Sequence, residues 1–279
     1  MPIEYSNSRG DRVLESEPRD IESLRKRWDE HAERYDDDWN ETFEGAVEHH
    51  VDWELLKRYL PKNRGAKILD AAGGTGRITL PLAKMGYSVT LCDISPGMLN
   101  VARQKMLREG VVDKVEILEC DVCSLRFADE TFDLVLCWGE SWMIEAAKEL
   151  IRVTRNGGRI SIFLGNKYGE AIRKFREDRD STLALLSSEP SYIYHGKDKE
   201  IVFSIDEARE FFEKEGVKVI EIYAVRGMLE SLSISKEVRE SRSWDENFFR
   251  QVTEMLLSLS KEPSVKGLSS IFILYGEKK

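Results

Sequence analysis

The sequence predicts an α/β fold in which a parallel sheet is covered by helices on both faces. Three observations carry this. Short runs that read as buried strands recur at 67–71, 88–92, 115–119, 132–137 and 158–164. Stretches with helical spacing separate them. The first run ends at Asp70 and turns through Gly73, Gly74 and Gly76, as a strand does when it feeds directly into a helix over a ligand. Two further runs, 217–225 and 269–276, extend the sheet.

Before the first strand, Leu24, Trp28, Ala32, Tyr35 and Trp39 follow Ile21 at helical spacing, and the acidic run Asp36 to Asp38 weakens the end of that helix. A second helix is expected over 47–59, stopped by Pro61. The last strand follows an amphipathic helix carrying Trp244, Phe248, Val252, Met255, Leu256 and Leu259. Between the fifth and sixth strands, 165–205 reads as a cap: a mixed helix, then SYIYHGKDKEIVFS as a hairpin or irregular segment. No internal repeat or low-complexity segment interrupts the chain.

Composition narrows the class. At 279 residues and 41% hydrophobic the chain can bury a full core. The N-terminus has no apolar signal-peptide core, and no run approaches the roughly 18 apolar residues of a membrane span, so a cytoplasmic protein without a membrane role is expected. A net charge of −9 supplies no general attraction for nucleic acid, although a local basic face stays open. Charged residues are 33% of the chain, a composition that leans towards a thermophilic source. Cys92, Cys120, Cys123 and Cys137 are too few for a disulfide framework. The Cys120/Cys123 pair lacks a second pair or nearby histidines, so no metal site is expected.

The glycine turn points to a nucleotide-like cofactor, since backbone amides and a helix N-terminus can approach it closely there. Asp93, at the end of the second strand, can accept protons from two ribose hydroxyls, and Asp121, after the third, can meet an adenine amino group. A dinucleotide is disfavoured because Gly74-Thr75-Gly76-Arg77-Ile78-Thr79 ends in threonine where a dinucleotide fingerprint has glycine or alanine.

These residues together resemble the core of the class I S-adenosylmethionine-dependent methyltransferases over 66–164. The family's L-D-x-G-x-G-x-G appears as LDAAGGTG, with Ala72 in place of the first glycine, and RVTRNGGRI resembles its R-V-L-x-P-G-G. WDEHAERYDDDW resembles the W-x-x-x-A-x-x-Y-D lid of the ubiquinone-biosynthesis-like group. The resemblance implies a Rossmann-like seven-stranded sheet in the order 3-2-1-4-5-7-6 with strand 7 antiparallel, an N-terminal helical lid over 1–60, and a methyltransferase domain over 61–279 containing the cap. It implies S-adenosyl-L-methionine as cofactor, with Asp70, Ala72, Gly73, Gly74 and Gly76 at the methionine end, Asp93 on the ribose, Ile94 and Met98 around the adenine, and Asp121 and Val122 at its edge.

Methyl transfer is an in-line displacement that needs alignment and exclusion of water more than a catalytic triad. CWGESWMIE, after the fourth strand, offers Trp138 and Trp142 as a slot for a flat acceptor, with Glu140 and Ser141 at its edge and Trp138 also next to the cofactor. Tyr35 and His31 are further candidates from the lid, while His49 and His50 read as surface residues. Three readings of function stand: a methylase of a planar acceptor in structured RNA such as rRNA, specifically a cytosine-like exocyclic amine; a methylase of a free small molecule; and a cofactor-binding protein without catalysis. The first is preferred.

Overall fold

The computed structural model describes residues 20–139, 144–175, 178–187, 190–195 and 198–279. The N-terminal helical region is in three pieces: α1 (Ile21–His31), α2 (Tyr35–Asn40) and α3 (Phe43–Lys57). The single helix expected over 21–39 breaks at 32–34, upstream of the acidic run, and α3 begins at 43 because the Thr42 hydroxyl accepts from Gly45 N at 3.1 Å.

Alternation then sets in, through β1 (Lys67–Ala71), α4 (Thr79–Lys84), β2 (Ser88–Asp93), α5 (Pro96–Arg108), β3 (Val115–Glu119), β4 (Phe132–Cys137), α6 (Ile144–Val153) and β5 (Thr154–Asn166). Ser95 caps α5 by accepting from Met98 N at 3.1 Å, and Pro96 supplies a first helical residue with no orphan N–H. Next come α7 (Lys167–Lys174), α8 (Arg179–Ser187), β6 (Ser191–His195), β7 (Asp198–Phe203), α9 (Ile205–Lys214) and β8 (Val217–Arg226). Short helices α10 (Met228–Ser231) and α11 (Lys236–Arg239), the longer α12 (Glu246–Leu259), α13 (Pro263–Lys266) and β9 (Ile271–Lys278) complete the chain.

Strands β1 to β5 pair in parallel in the order β3-β2-β1-β4-β5. Strand β9 then runs antiparallel to β5 from Arg159↔Glu277 to Gly165↔Ile271, and β8 runs antiparallel to β9. These seven strands are in the expected order, with the last in sequence antiparallel. The sheet nonetheless has nine strands. Hairpin β6–β7, folded from the cap segment, joins the tip of β5 only at Gly165↔Val202 and Asn166↔Phe203.

Alternate residues of each strand enter opposite cores. Leu69, Val135, Ile162 and Leu274 pack with α6 and α9 through Leu150 and Phe212. Ile68, Leu136, Phe163 and Ile273 pack on the other face against α3 and α12 through Val47, Leu55, Val252 and Leu256. Full burial of each such side chain stabilises the fold by about 1.5–3 kcal/mol. This two-sided demand explains the buried-strand runs. It also fixes the carboxyl ends of β1, β2 and β4 along one rim of the sheet.

No helix of the described residues is long and apolar enough to cross a membrane.

Candidate active site

A cleft enclosing about 1260 Å³, open solvent at its mouth included, lies along that rim. It runs from Asp121 and Val122 past the glycine turn to Trp138. The turn explains its own composition. A Cβ on Gly73 would fall 2.2 Å from Leu91 Cδ1 and 2.7 Å from Asp70 Cγ, so glycine is required here by the sheet itself, not by a ligand. Gly74 has φ 53° and nothing nearer its Cβ position than Met98 Sδ at 3.9 Å, so its backbone faces the open cleft. Gly76 lies beneath, against Met106, and does not line the cleft.

Ala72 also has a positive φ, 52°, at the position where the motif it resembles has glycine. Left-handed backbone costs an L-residue roughly 1–2 kcal/mol. The strain stays in place because strands β1 and β4 pair through Ala71↔Cys137 immediately beside it.

Asp93 is 7% exposed, and its oxygens accept from Gly74 N and Ser95 N, both at 2.9 Å. Burial pushes its carboxyl up, and these N–H donors oppose the shift. The carboxylate thereby ties the glycine turn to the start of α5 and keeps lone pairs for a ligand. Burial pushes Asp70 up to about 6, opposed by the Thr79 hydroxyl, which donates to it at 2.6 Å, and by Arg77.

Helices α1 and α2 close over this rim through side chains. Asp29 accepts from Ser95 Oγ at 2.5 Å and Gly97 N at 2.8 Å. Arg25 donates to the Ile94 carbonyl at 3.2 Å and to Glu119 at 2.7 Å. Asp36 accepts from Thr75 Oγ1 at 2.7 Å and pairs with Lys105 at 2.5 Å. Trp28 and Tyr35 meet edge to face at 6.1 Å and both line the cleft.

Of the residues singled out from sequence, Tyr35, Asp70, Ala72, Gly73, Gly74, Asp93, Ile94, Met98, Asp121, Val122 and Trp138 come together around this one cleft. His31 does not: it is exposed, with Nδ1 2.7 Å from the Arg27 carbonyl of its own helix. Glu140, Ser141 and Trp142 lie outside the described residues. The surface reading of His49 is corrected, since its Nδ1 meets Arg77 Nη1 at 3.0 Å and burial, then Arg77, pushes it down to about 4.

Beyond Trp138 the cleft has a second half. The indole N–H donates to Ser161 Oγ at 3.0 Å and its ring stacks on Phe163, 5.1 Å apart and 2° from parallel. The Arg226 guanidinium also lies over the Phe163 ring, 4.8 Å from its centroid. Asp52 accepts from Arg226 Nη1 at 3.1 Å and Nη2 at 2.6 Å, and Glu48 lies 3.3 Å from Nε. Burial works against the Arg226 cation, but Asp52 and Glu48 hold it firmly charged. Arg77 approaches Asp52 at 3.6 Å.

Sequence reasoning passed over this floor. Its one local signal is Glu48 and Asp52, one turn apart on a helix whose Val47, Val51, Leu55 and Leu56 are all buried. Two carboxylates on such a face require a buried cation.

Residues 68–158 match the family model described as "Methyltransferase domain". A demethylmenaquinone methyltransferase of Clavibacter sepedonicus is 40% identical over 102 residues, 35% of this chain and 40% of that one. The tRNA 5-carboxymethoxyuridine methyltransferase of Escherichia coli is 29% identical over 151 residues, 52% of this chain and 58% of that one. The chain thus spans roughly half the length of these curated relatives. Among solved structures, a Haloferax volcanii methyltransferase in complex with the Trm112 methyltransferase activator superposes with TM-score 0.60 at 16% identity, covering 92% of this chain and 97% of that one. Geranyl diphosphate methyltransferase with GPP and sinefungin gives 0.54 at 14%, covering 82% and 78%. At such identities these two establish the fold.

Proposed function

We propose, from the premise that the chain carries a class I S-adenosylmethionine-dependent methyltransferase domain, that it moves the methyl group of S-adenosylmethionine to a planar acceptor held beyond Trp138. The observation that carries this reading is the two-part cleft: one half bounded by Asp93, Ile94, Met98 and Asp121, continuous with an aromatic half bounded by Tyr35, Trp138 and Phe163.

In this reading Asp93 accepts from the ribose hydroxyls, Ile94 and Met98 flank the adenine, and Asp121 with Val122 meets its edge. The glycine turn and Asp70 would hold the methionine end. Bound there, S-adenosylmethionine would supply an activated methyl group for the acceptor's electron pair, with S-adenosylhomocysteine as the leaving group. Stacking on Trp138 and cover from α1 and α2 align the acceptor and exclude water.

A base in RNA is supported as acceptor by the likeness to a tRNA methyltransferase. A free small molecule is supported by the side-chain ties that hold the lid over the cleft. The experiment is transfer of labelled methyl from S-adenosylmethionine into a host extract separated into RNA, protein and small molecules. Label in RNA that nuclease releases assigns a nucleic-acid acceptor, label only in the small-molecule fraction assigns a free one, and no incorporation anywhere defeats the methyltransferase reading.

A further inference from the structure

Two guanidinium groups meet in the floor of the acceptor half, and one of them is only partly used by its protein partners among the described residues. Arg77 and Arg226 both line the cleft and converge on one oxygen, Asp52 Oδ2, at 3.6 and 2.6 Å. Arg226 spends Nη1 and Nη2 on Asp52 and faces Glu48 with Nε. Arg77 differs. Among the described residues its protein partners are reached through Nη1 alone, His49 and Asp52, so the rest of a five-donor fork is available at the cleft wall.

Carboxylates also face this floor. Asp52, fully buried, brings one negative charge between two guanidinium groups. Glu48, which burial pushes up to about 7, lies 3.3 Å from Arg226 Nε. His49, pushed down to about 4, is neutral. Asp70 acts on Arg77 through its charge, while its Oδ2 takes the Thr79 hydroxyl under the glycine turn. Among the described residues, none of these groups occupies the donors of Arg77 other than Nη1.

Resting on the methyltransferase reading above, we propose that the acceptor is an acid, a phenol, enol or carboxylic acid on a planar frame, bound as its anion with the charged group on Arg77 beside Arg226. A guanidinium fork suits a planar, delocalised oxyanion, and the Trp138–Phe163 stack suits the frame that carries it. An amine acceptor finds no such match. Arg77 offers only donors to a group that is itself a donor.

The chemistry balances without a base in the transfer step. The acceptor leaves its proton in solvent on binding. Its electron pair then forms the new bond to the methyl carbon while the carbon–sulfur pair returns to sulfur. Sulfonium and anion are both discharged in one displacement, a change favoured where neither ion is well hydrated. The neutral product loses its hold on Arg77, which favours release. The acid group is common to a free metabolite and to a modified base, and the partition of methyl label described above separates those sources.

The test uses 2-naphthoate and 2-naphthylamine as probes of equal shape, titrated by calorimetry into the full chain saturated with S-adenosylhomocysteine. Naphthoate is expected to bind at least about tenfold more tightly than naphthylamine. Arg77→Gln should remove about tenfold of that affinity, the worth of one charge-assisted bond, and Arg77→Lys should restore part of it. S-adenosylhomocysteine affinity should stay within about twofold in both variants, each with a cooperative melt. Equal affinity for the two probes, or no binding of naphthoate, overturns the proposal. So does an Arg77→Gln variant that weakens S-adenosylhomocysteine as much as naphthoate, because Arg77 would then serve the cofactor's own carboxylate. Failure of S-adenosylhomocysteine itself to bind the wild-type chain counts instead against the methyltransferase reading.

Discussion

The methyl group of Ala72 fills the space that a side chain at Gly139 would need: a Cβ built on Gly139 falls 2.7 Å from Ala72 Cβ and 3.3 Å from its carbonyl oxygen. The turn after β1 and the end of β4 are therefore matched as a pair. Gly139→Ala is expected to destabilise the protein by about 1–3 kcal/mol through this overlap. Ala72→Gly should raise stability slightly, by about 0.5–1 kcal/mol, because φ 52° suits glycine better and only part of the gain is offset by the freer unfolded chain. The double variant should recover most of the loss. Strictly additive effects in urea titrations would show that the two sites are not coupled.

Asp93 holds two backbone amides as well as the proposed ribose contact. Asp93→Ala should weaken S-adenosylmethionine binding by about 100-fold or more, since two charge-assisted bonds to the ribose are lost at roughly 1.5–3 kcal/mol each. Calorimetry returning the wild-type dissociation constant would remove the ribose assignment.

Asp36 makes two of the side-chain contacts that seat α2 over the cleft, to Thr75 and Lys105. In Asp36→Ala the release of S-adenosylhomocysteine, followed by stopped-flow fluorescence, should speed by about tenfold, while global stability falls by no more than about 1–2 kcal/mol. Unchanged release in a folded variant would mean that α2 does not gate the cleft.

Glu48 makes stability depend on pH in the sense opposite to most carboxylates. Its folded pKa is pushed up to about 7 from an ordinary 4.5, chiefly by burial, so the folded protein binds the proton more tightly than the unfolded chain. The stabilisation is complete below 4.5 and is lost as pH rises through 7. His49, pushed down to about 4, runs the other way, its share being lost as pH falls through that value. Comparing variants isolates Glu48. Relative to wild type, Glu48→Gln should gain on the order of 2–3 kcal/mol between about pH 5 and about pH 8. A stability difference flat across that range would show that Glu48 titrates normally.

The parts of the molecule legible from sequence are those that depend on neighbours in the chain or on uniform burial. Runs such as Leu134-Val135-Leu136 announce a strand with both faces covered, because adjacent residues go to different cores and each needs to be apolar. Asp70, Gly74 and Asp93 are likewise readable, each standing at the carboxyl end of a strand or in the turn after it. The acceptor floor is not, because Arg226 meets Asp52 across 174 positions and nothing local distinguishes this arginine from those on the surface. The break at 32–34 was equally hidden. Helical spacing continues through it, and only tertiary ties such as Asp29 to Gly97 and Asp36 to Thr75 hold the two pieces at different places on the rim. His49 reads as a surface residue for the same reason, since its contact with Arg77 is tertiary.

Hairpin β6–β7 meets the rest of the sheet at two residue pairs, and its two faces have different neighbours: Ile193 and Val202 pack with Ala171 and Leu185 in a small core of their own, while Ile201 and Phe203 join the main core beside Phe212. A mutation at Ile193 or Leu185 therefore has a short reach, and one at Ile201 or Phe203 does not. Changes confined to the small core should leave Asp93, the glycine turn and the β1–β4 pairing undisturbed. That flank is separable from the glycine-turn end of the cleft only as far as β7, whose inward residues anchor it to the sheet.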